Sequence, residues 1–385
     1  MRRSMLKALC LPMLAVGCGD GDGSVEGPAP TPTPTATATP TPTATTAAVS
    51  RTNVAMLDNG WAMTFLPDGR LLVTEKPGRL RLVTTAGVVT TIAGTPAVDA
   101  AGQGGLLDVA LDPQFASNRY VYLSFAEAGT GGSGLAVARG TLSADAASLG
   151  DVRVLWRQVP KIGGGETRHY GGRIAFAADN TMYVTAGERH QGAPAQDLTV
   201  TLGKIIRINR DGSIPADNPF VGSTGARTEI WSLGHRNPYG LVFAGDGRLF
   251  ESEMGPEGGD EFNLINRGAN YGWRTVSEGN DGEVLPRHST KPEFAAPLVS
   301  WTPVIAPGGM IQYRGSRFQG WDNDFVLAGL TAQGLVRVRV SGSTATEVGR
   351  IGLGTRIREV EQGPDGSIWV LEDGANGRLV KLDPA

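Results

Sequence analysis

The sequence predicts an all-β fold, a six-bladed β-propeller. Three observations carry that expectation. A turn rich in Asp, Asn and Gly, followed by an alternating apolar strand, recurs along the chain. Glycine is abundant, at 55 of 385 residues, and aromatics make up only 6%, which suits many turns and short strands. No stretch shows a sustained 3.6-residue apolar period with caps, which argues against βαβ units and a Rossmann domain.

The copies are "LPDGRLLVTE" from Leu66, "LDPQFASNRYVYLSF" from Leu111, "FAADNTMYVTAGE" from Phe176, "FAGDGRLFESEMG" from Phe243 and "QGPDGSIWVLEDG" from Gln362. A weaker sixth, "GWDNDFVLAGL", starts at Gly320. Several run on into a second strand, as in "RLRLV" and "KIIRINR". Six copies leave roughly 55 residues each, the length of a four-stranded blade with one or two longer loops.

The propeller is expected over 51–385. Residues 1–18 read as a secretory signal, with Arg2, Arg3 and Lys7 ahead of the apolar run "ALCLPMLAVGC". The ending "LAVGC" resembles a bacterial lipoprotein processing site with Cys18 as the lipidated residue. A plain secretory signal cut nearby is the other reading. Residues 19–50, with "GPAPTPTPTATATPTPTATTAA", form a disordered Pro/Thr/Ala tether. Such a protein is expected in the periplasm or outside the cell, anchored to the membrane by lipid. Cys10 and Cys18 are the only cysteines, so the propeller has no disulfide and no thiol chemistry. A net charge of -3 with 19% charged residues suggests neither a nucleic-acid nor an anionic-membrane partner.

A propeller gathers loops from every blade at one end of a channel, so distant residues can share a site. Gln103 lies in the Gly-rich turn "AGQGGLLDVALDP"; alone it is an amide capping its own turn. In "RHYGGRIAF", His169 precedes two glycines and suits a general base that a substrate can approach closely. Glu188, at the end of the next strand phrase, could orient that imidazole. Taken singly, these are a surface His and a blade-edge Glu. In "GHRNPYG", Arg236 offers a rigid fork for a carboxylate and Asn237 a donor and an acceptor; the same loop could simply pin neighbouring blades. His235 is read as bracing it.

"ESEMGPEGGDEFNLINRGANYGW" packs Glu253, Glu257, Asp260 and Glu261 into a Gly/Pro loop that exposes backbone carbonyls, and hard oxygen ligands attract Ca²⁺. The EF-hand spacing is absent, and a solvated acidic loop is the plain alternative. Arg356 and Arg358 alternate on an apparent strand, with no carboxylate between them to answer two cations on one side. "GTGGSG" at 129–134 leads into a strand, so it is a hairpin loop and not a dinucleotide motif. Together these clusters suit a polyanionic ligand better than a neutral one.

In this order, "GQGGLLDVALDP", "HYGGR", "GHRNPYG", "EMGPEGGDEFNLI…GANYGW" and "TRIRE" resemble the soluble PQQ-dependent sugar dehydrogenases, nearest the periplasmic aldose sugar dehydrogenases. The resemblance runs from about Asn53 to the C-terminus. It implies a six-bladed propeller that binds pyrroloquinoline quinone (PQQ) and Ca²⁺ and oxidises the anomeric hydroxyl of an aldose to a lactone, for an electron acceptor the sequence leaves unknown. It further implies that His169 is the base, with Glu188 as its acid partner and Arg236 assisting. By the same resemblance Gln103, Arg236, Asn237, Arg356 and Arg358 contact cofactor or substrate. The carbonyls of Gly255 and Pro256 hold the cofactor Ca²⁺, and Glu261 and Tyr271 hold a further Ca²⁺, with Asp281 as an added ligand.

Two departures stand out. A Lys carried by the glucose enzymes is missing from "GLTAQGLV", where Gln333 is the candidate replacement. Arg168 stands before the His where those enzymes have Asp. The rival readings are a Ca²⁺-dependent propeller lactonase or esterase, which needs no Arg set, and a non-catalytic sugar- or protein-binding propeller, which leaves His169 idle.

Overall fold

Five turns repeat one local device. Asp68 accepts the backbone N–H of Arg70 at 3.0 Å, Asp179 that of Thr181 at 2.9 Å, Asp246 that of Arg248 at 3.1 Å and Asp365 that of Ser367 at 3.0 Å. Asp112 does the same for Gln114, two residues on. An aspartate that bonds its own chain two residues later fixes a tight turn, and each turn reverses one strand into the next. In the weaker sixth copy the reversal contains Asn323 at φ 70°, a conformation Asn tolerates.

The computed structural model describes residues 48–385. The expected signal (1–18) and nearly all of the expected tether (19–50) lie outside them. The described chain forms six antiparallel sheets of four strands each, the blades of a propeller. Blades 1 to 5 occupy 60–92, 106–157, 171–233, 238–301 and 307–352. Blade 6 takes three strands from 357–384 and its outermost strand, Val49–Leu57, from the start of the domain. That strand begins two residues before the expected boundary and pairs from Val49↔Pro384 to Leu57↔Gly377, closing the ring. The one α-helix among the described residues is Phe115–Asn118, inside the second repeated phrase.

The repeated phrases all take one place in the blade. Each spans the turn after the inner strand and then the second strand: Leu71–Glu75, Tyr120–Gly129, Met182–Ala186, Leu249–Glu253, Phe325–Gly329 and Ile368–Glu372. Five of these strands are buried throughout on both faces, because neighbouring blades cover both. Between blades 4 and 5, Phe325 packs its ring centroid 4.6 Å from Phe250 and 5.1 Å from Phe262.

The inner strands line the channel. There Arg173 is clamped by Asp108 and Glu359 and lies 4.2 Å from the Trp61 ring. Below this plug a cavity of about 280 Å³ is lined by Asp108, Arg173 and Glu361.

Phe325→Ala should cost about 3–5 kcal/mol through lost burial and a cavity between two blades. The check is the urea unfolding midpoint, which should fall while the circular dichroism of the native state is retained.

Candidate active site

The end of an inner strand and the end of the second strand beside it meet at the same mouth of the channel, because the two run antiparallel. Gln103, His169, Arg236 and Arg356 lie just before inner strands. Glu188, Gly255 and Asp373 lie just after second strands. The topology alone brings the polar ends of four blades together.

His169 and Glu188 form the tightest pair. His169 Nδ1 is 2.5 Å from Glu188 Oε1, and both residues are buried. A carboxylate only accepts, so the proton sits on Nδ1 and Nε2 is left free as a base. Glu188 Oε2 accepts the N–H of Gly192 at 2.5 Å, so both oxygens are held. The approach needs a glycine: a Cβ at Gly187 would lie 2.2 Å from the carbonyl oxygen of His169. His169 itself sits at φ 52°, and its N–H donates to Gln103 Oε1 at 2.7 Å. Gln103 therefore caps a neighbouring blade and not its own turn. Burial pushes the His169 imidazole below its ordinary value, while the bond to Glu188 works the other way.

Arg236 comes next. Glu188 N–H donates to its carbonyl at 2.9 Å, tying the two loops. Among the described residues its guanidinium meets no carboxylate. It donates to the carbonyls of Met254 and Gly255, both at 3.0 Å, and lies 5.2 Å from the Trp273 ring. Arg236 Nε and Asn237 Oδ1 are buried without partners. The Arg236 charge is also felt at His169 and helps keep that imidazole neutral.

Arg356 and Arg358 do share a side, and the carboxylate that sequence spacing failed to show comes from the next strand. Asp373 accepts from Arg356 Nε at 2.9 Å and Arg358 Nε at 3.0 Å. A third cation joins them. Lys76 follows its second strand as Asp373 does, and donates to the Gly102 carbonyl at 2.6 Å. Burial and then the Arg358 charge push its ammonium below the usual range. Three cations thus face one carboxylate. Sequence reading missed Lys76, although aligning the repeated phrases by their strand ends places it at the mouth. It also missed His190, whose ring lies 5.0 Å from that of His169.

Gly255 and Pro256 expose their loop to the mouth, and Asp260 holds that loop by accepting the Gly255 N–H at 2.9 Å. Burial pushes the Asp260 carboxyl up to about 6. Glu261 and Tyr271 line one small cavity of about 10 Å³ with Glu253 and Ser277, room for one water-sized body. Asp281, expected as an added ligand there, is paired with Arg274 Nε at 2.5 Å and does not line it. Arg168 turns outward in a two-pronged bond to Glu166 and does not enter the mouth. In the loop lacking the Lys, Gln333 uses its carbonyl to accept the N–H groups of Leu353 and Gly354.

Because folding depresses the His169 pKa, the neutral ring favours the fold fully above pH 6.5, and that contribution is lost as pH falls through the folded value. NMR titration of the imidazole should give a midpoint below 6.5, and Glu188→Gln should lower it further. A midpoint at or above 6.5 would contradict the assignment.

The model for glucose/sorbosone dehydrogenases matches residues 57–381. The chain is 39% identical over 352 residues to the aldose sugar dehydrogenase YliI of Escherichia coli (strain K12), covering 88% of this chain and 94% of that one. The apo-form structure of the soluble aldose sugar dehydrogenase of Escherichia coli superposes with a TM-score of 0.83 at 38% identity, covering 88% of this chain and all of the other. The PQQ-bound aldose sugar dehydrogenase of Streptomyces coelicolor does so with a TM-score of 0.71 at 29% identity, covering 88% and 98%. With the dyad, the unpaired guanidinium and the propeller in place, these matches make the chain a member of the glucose/sorbosone dehydrogenase family, sugar-oxidising oxidoreductases built on this fold.

Proposed function

We propose that the chain oxidises the anomeric hydroxyl of an aldose to a lactone, with PQQ and Ca²⁺ as its cofactors. The observation that carries this reading is a buried, carboxylate-oriented base beside a guanidinium with no carboxylate of its own. The donor set suits a planar tricarboxylate: Arg236, Lys76, Arg356 and Arg358 bring four cations, and Asp373 answers only part of that charge. The orphaned Arg236 Nε and Asn237 Oδ1 also fit a site whose partners arrive with a ligand. The PQQ carried by the Streptomyces relative supports the same choice. Gly255 and Pro256 would offer carbonyl oxygens to Ca²⁺. Glu261 and Tyr271 would hold a second Ca²⁺ at the small cavity they share.

When bound, PQQ supplies the hydride acceptor and Ca²⁺ the Lewis acid that polarises it. The chain's own work is positional and acid–base. His169 Nε2 takes the proton of the anomeric hydroxyl. Glu188 holds the ring at Nδ1 and stabilises the imidazolium that results. Gln103 fixes the His169 backbone, and Arg236 holds the anionic ligand against the base. The burial that keeps His169 neutral keeps it competent at neutral pH.

The lactonase and the non-catalytic readings are separated by reconstitution. Apo-protein given PQQ and Ca²⁺ should reduce a dye acceptor in the presence of aldoses; no PQQ binding together with no dye reduction would end the proposal. His169→Ala should abolish turnover, a loss of at least about 10²-fold, and leave PQQ binding intact. Arg236→Ala should weaken PQQ binding itself. We further propose that the domain is exported and tethered through a lipidated Cys18. Mass spectrometry of the mature N-terminus checks it, and an unmodified or differently cut terminus refutes it.

A further inference from the structure

Behind the Arg236–Asn237 loop, blade 4 turns one face of its strands into the protein. Glu251 and Glu253 alternate on the strand Leu249–Glu253, so their carboxylates share that face. Asn263 sits directly across from Glu251 in the register. His235 enters the same space from the turn before Pro238–Phe243. One donor atom from each of His235, Glu251 and Glu253 lies within 4.8 Å of the other two. The three are 0%, 0% and 4% exposed.

This cluster lacks a compensating charge. Among the described residues, no Lys or Arg side chain pairs with Glu251 or Glu253; the ion pair recorded there is His235 to Glu253. Uncompensated buried carboxylates are expensive. Asn263 donates to Glu251 Oε2 at 3.0 Å, which fixes that carboxylate and leaves Glu251 Oε1 fully buried without a partner. An oxygen lone pair of this kind is satisfied by a cation or a proton, never by a further acceptor.

The imidazole is set up as a ligand. His235 Nε2 is 2.8 Å from Ser232 Oγ, and the ring stacks on Tyr271 at 4.7 Å. A hydrogen bond at one ring nitrogen orients the other toward a metal. His235 Nδ1 faces Glu253 Oε1 at 3.3 Å, longer than the about 2.7–2.9 Å of a charge-assisted bond.

We infer that His235, Glu251 and Glu253 form a buried site for one divalent cation, with a donor set different from the Gly255–Pro256 carbonyls and next to the Glu261–Tyr271 cavity, which Glu253 also lines. Carboxylate oxygens suit Ca²⁺ and Mn²⁺, and an imidazole favours the transition metals, so the mixed set points to Mn²⁺. Its role is to hold the mouth. Glu253 Oε2 also accepts the backbone N–H of Arg236 at 2.5 Å and of Asn237 at 3.1 Å. A cation on Glu253 would anchor the loop that aims both side chains.

The test needs no sugar and no PQQ, so it stands or falls apart from the redox reading. The full chain is stripped with chelator, then dialysed against Mn²⁺ in excess Ca²⁺, and bound manganese is counted by mass spectrometry. Wild type should retain one more Mn²⁺ per chain than Glu251→Gln, and Mn²⁺ should raise the melting temperature of wild type only. Pulsed EPR of the wild-type complex should show coupling to an imidazole nitrogen, lost in His235→Gln. Equal manganese in wild type and Glu251→Gln, or none in either, overturns the inference. So does bound Mn²⁺ with no nitrogen coupling, which is read on wild type alone and holds even if a variant fails to fold.

Discussion

Each inner strand starts with an irregularity in its pairing, and the site depends on it. The register shifts fall between Gly60 and Ala62, Leu106 and Val109, Gly171 and Ile174, Pro238 and Gly240, Pro307 and Met310, and Ile357 and Glu359. A bulge re-aims a side chain and ends regular pairing. Here it turns Trp61, Arg173, Tyr239 and Arg358 into the channel region, where they pack on one another. Hydroxyls of second strands fill the gaps and cross to the next blade. Thr74 accepts from Ala62 at 3.0 Å and donates to Leu107 at 2.5 Å. Ser124 accepts from Asp108 at 2.9 Å and donates to Gly172 at 2.5 Å. Thr185 accepts from Arg173 at 2.9 Å and donates to Pro238 at 3.0 Å. In these three blades one hydroxyl thus satisfies a backbone group that the bulge would orphan and ties the blade to its neighbour.

The mouth sits on that frame with an excess of positive charge. Arg236 is held by carbonyls and an aromatic ring, which orient a guanidinium without neutralising it. Asp373 splits itself between two arginines. Glu188 is committed to His169 and Gly192, so it cannot discharge Arg236 through a direct bond. Burial and the Arg236 charge also hold His169 neutral. A base at the mouth and an anion-seeking surface around it are therefore consequences of one electrostatic arrangement.

The fold and the pairing of His169 with Glu188 were legible in the sequence because both leave local marks. An Asp turn followed by a buried strand reads the same in any blade, and "HYGGR" and "TAGE" fall at fixed places relative to it. The carboxylate for Arg356 and Arg358 was not legible. Spacing along one strand shows which side chains share a face, while Asp373 arrives from the adjacent strand through antiparallel pairing. Lys76 was passed over for a similar reason: a lone Lys after a strand looks solvated until the ring closes and places it beside Arg358. Asp281 shows the reverse case, where sequence proximity suggested a ligand and Arg274 claims the side chain.

By itself, the sequence determined the blade count, the place of each repeated turn and the strand after it, and the family, since each rests on short-range patterns that the copies repeat. Tertiary structure decided which charges are answered and which are left over. Arg236 without a carboxylate, Asp373 between two arginines and Glu251 with a buried free oxygen are all outcomes of blades meeting side by side. Electrostatic balance depends on distance and burial, and in a closed ring those are set by residues far apart in the chain.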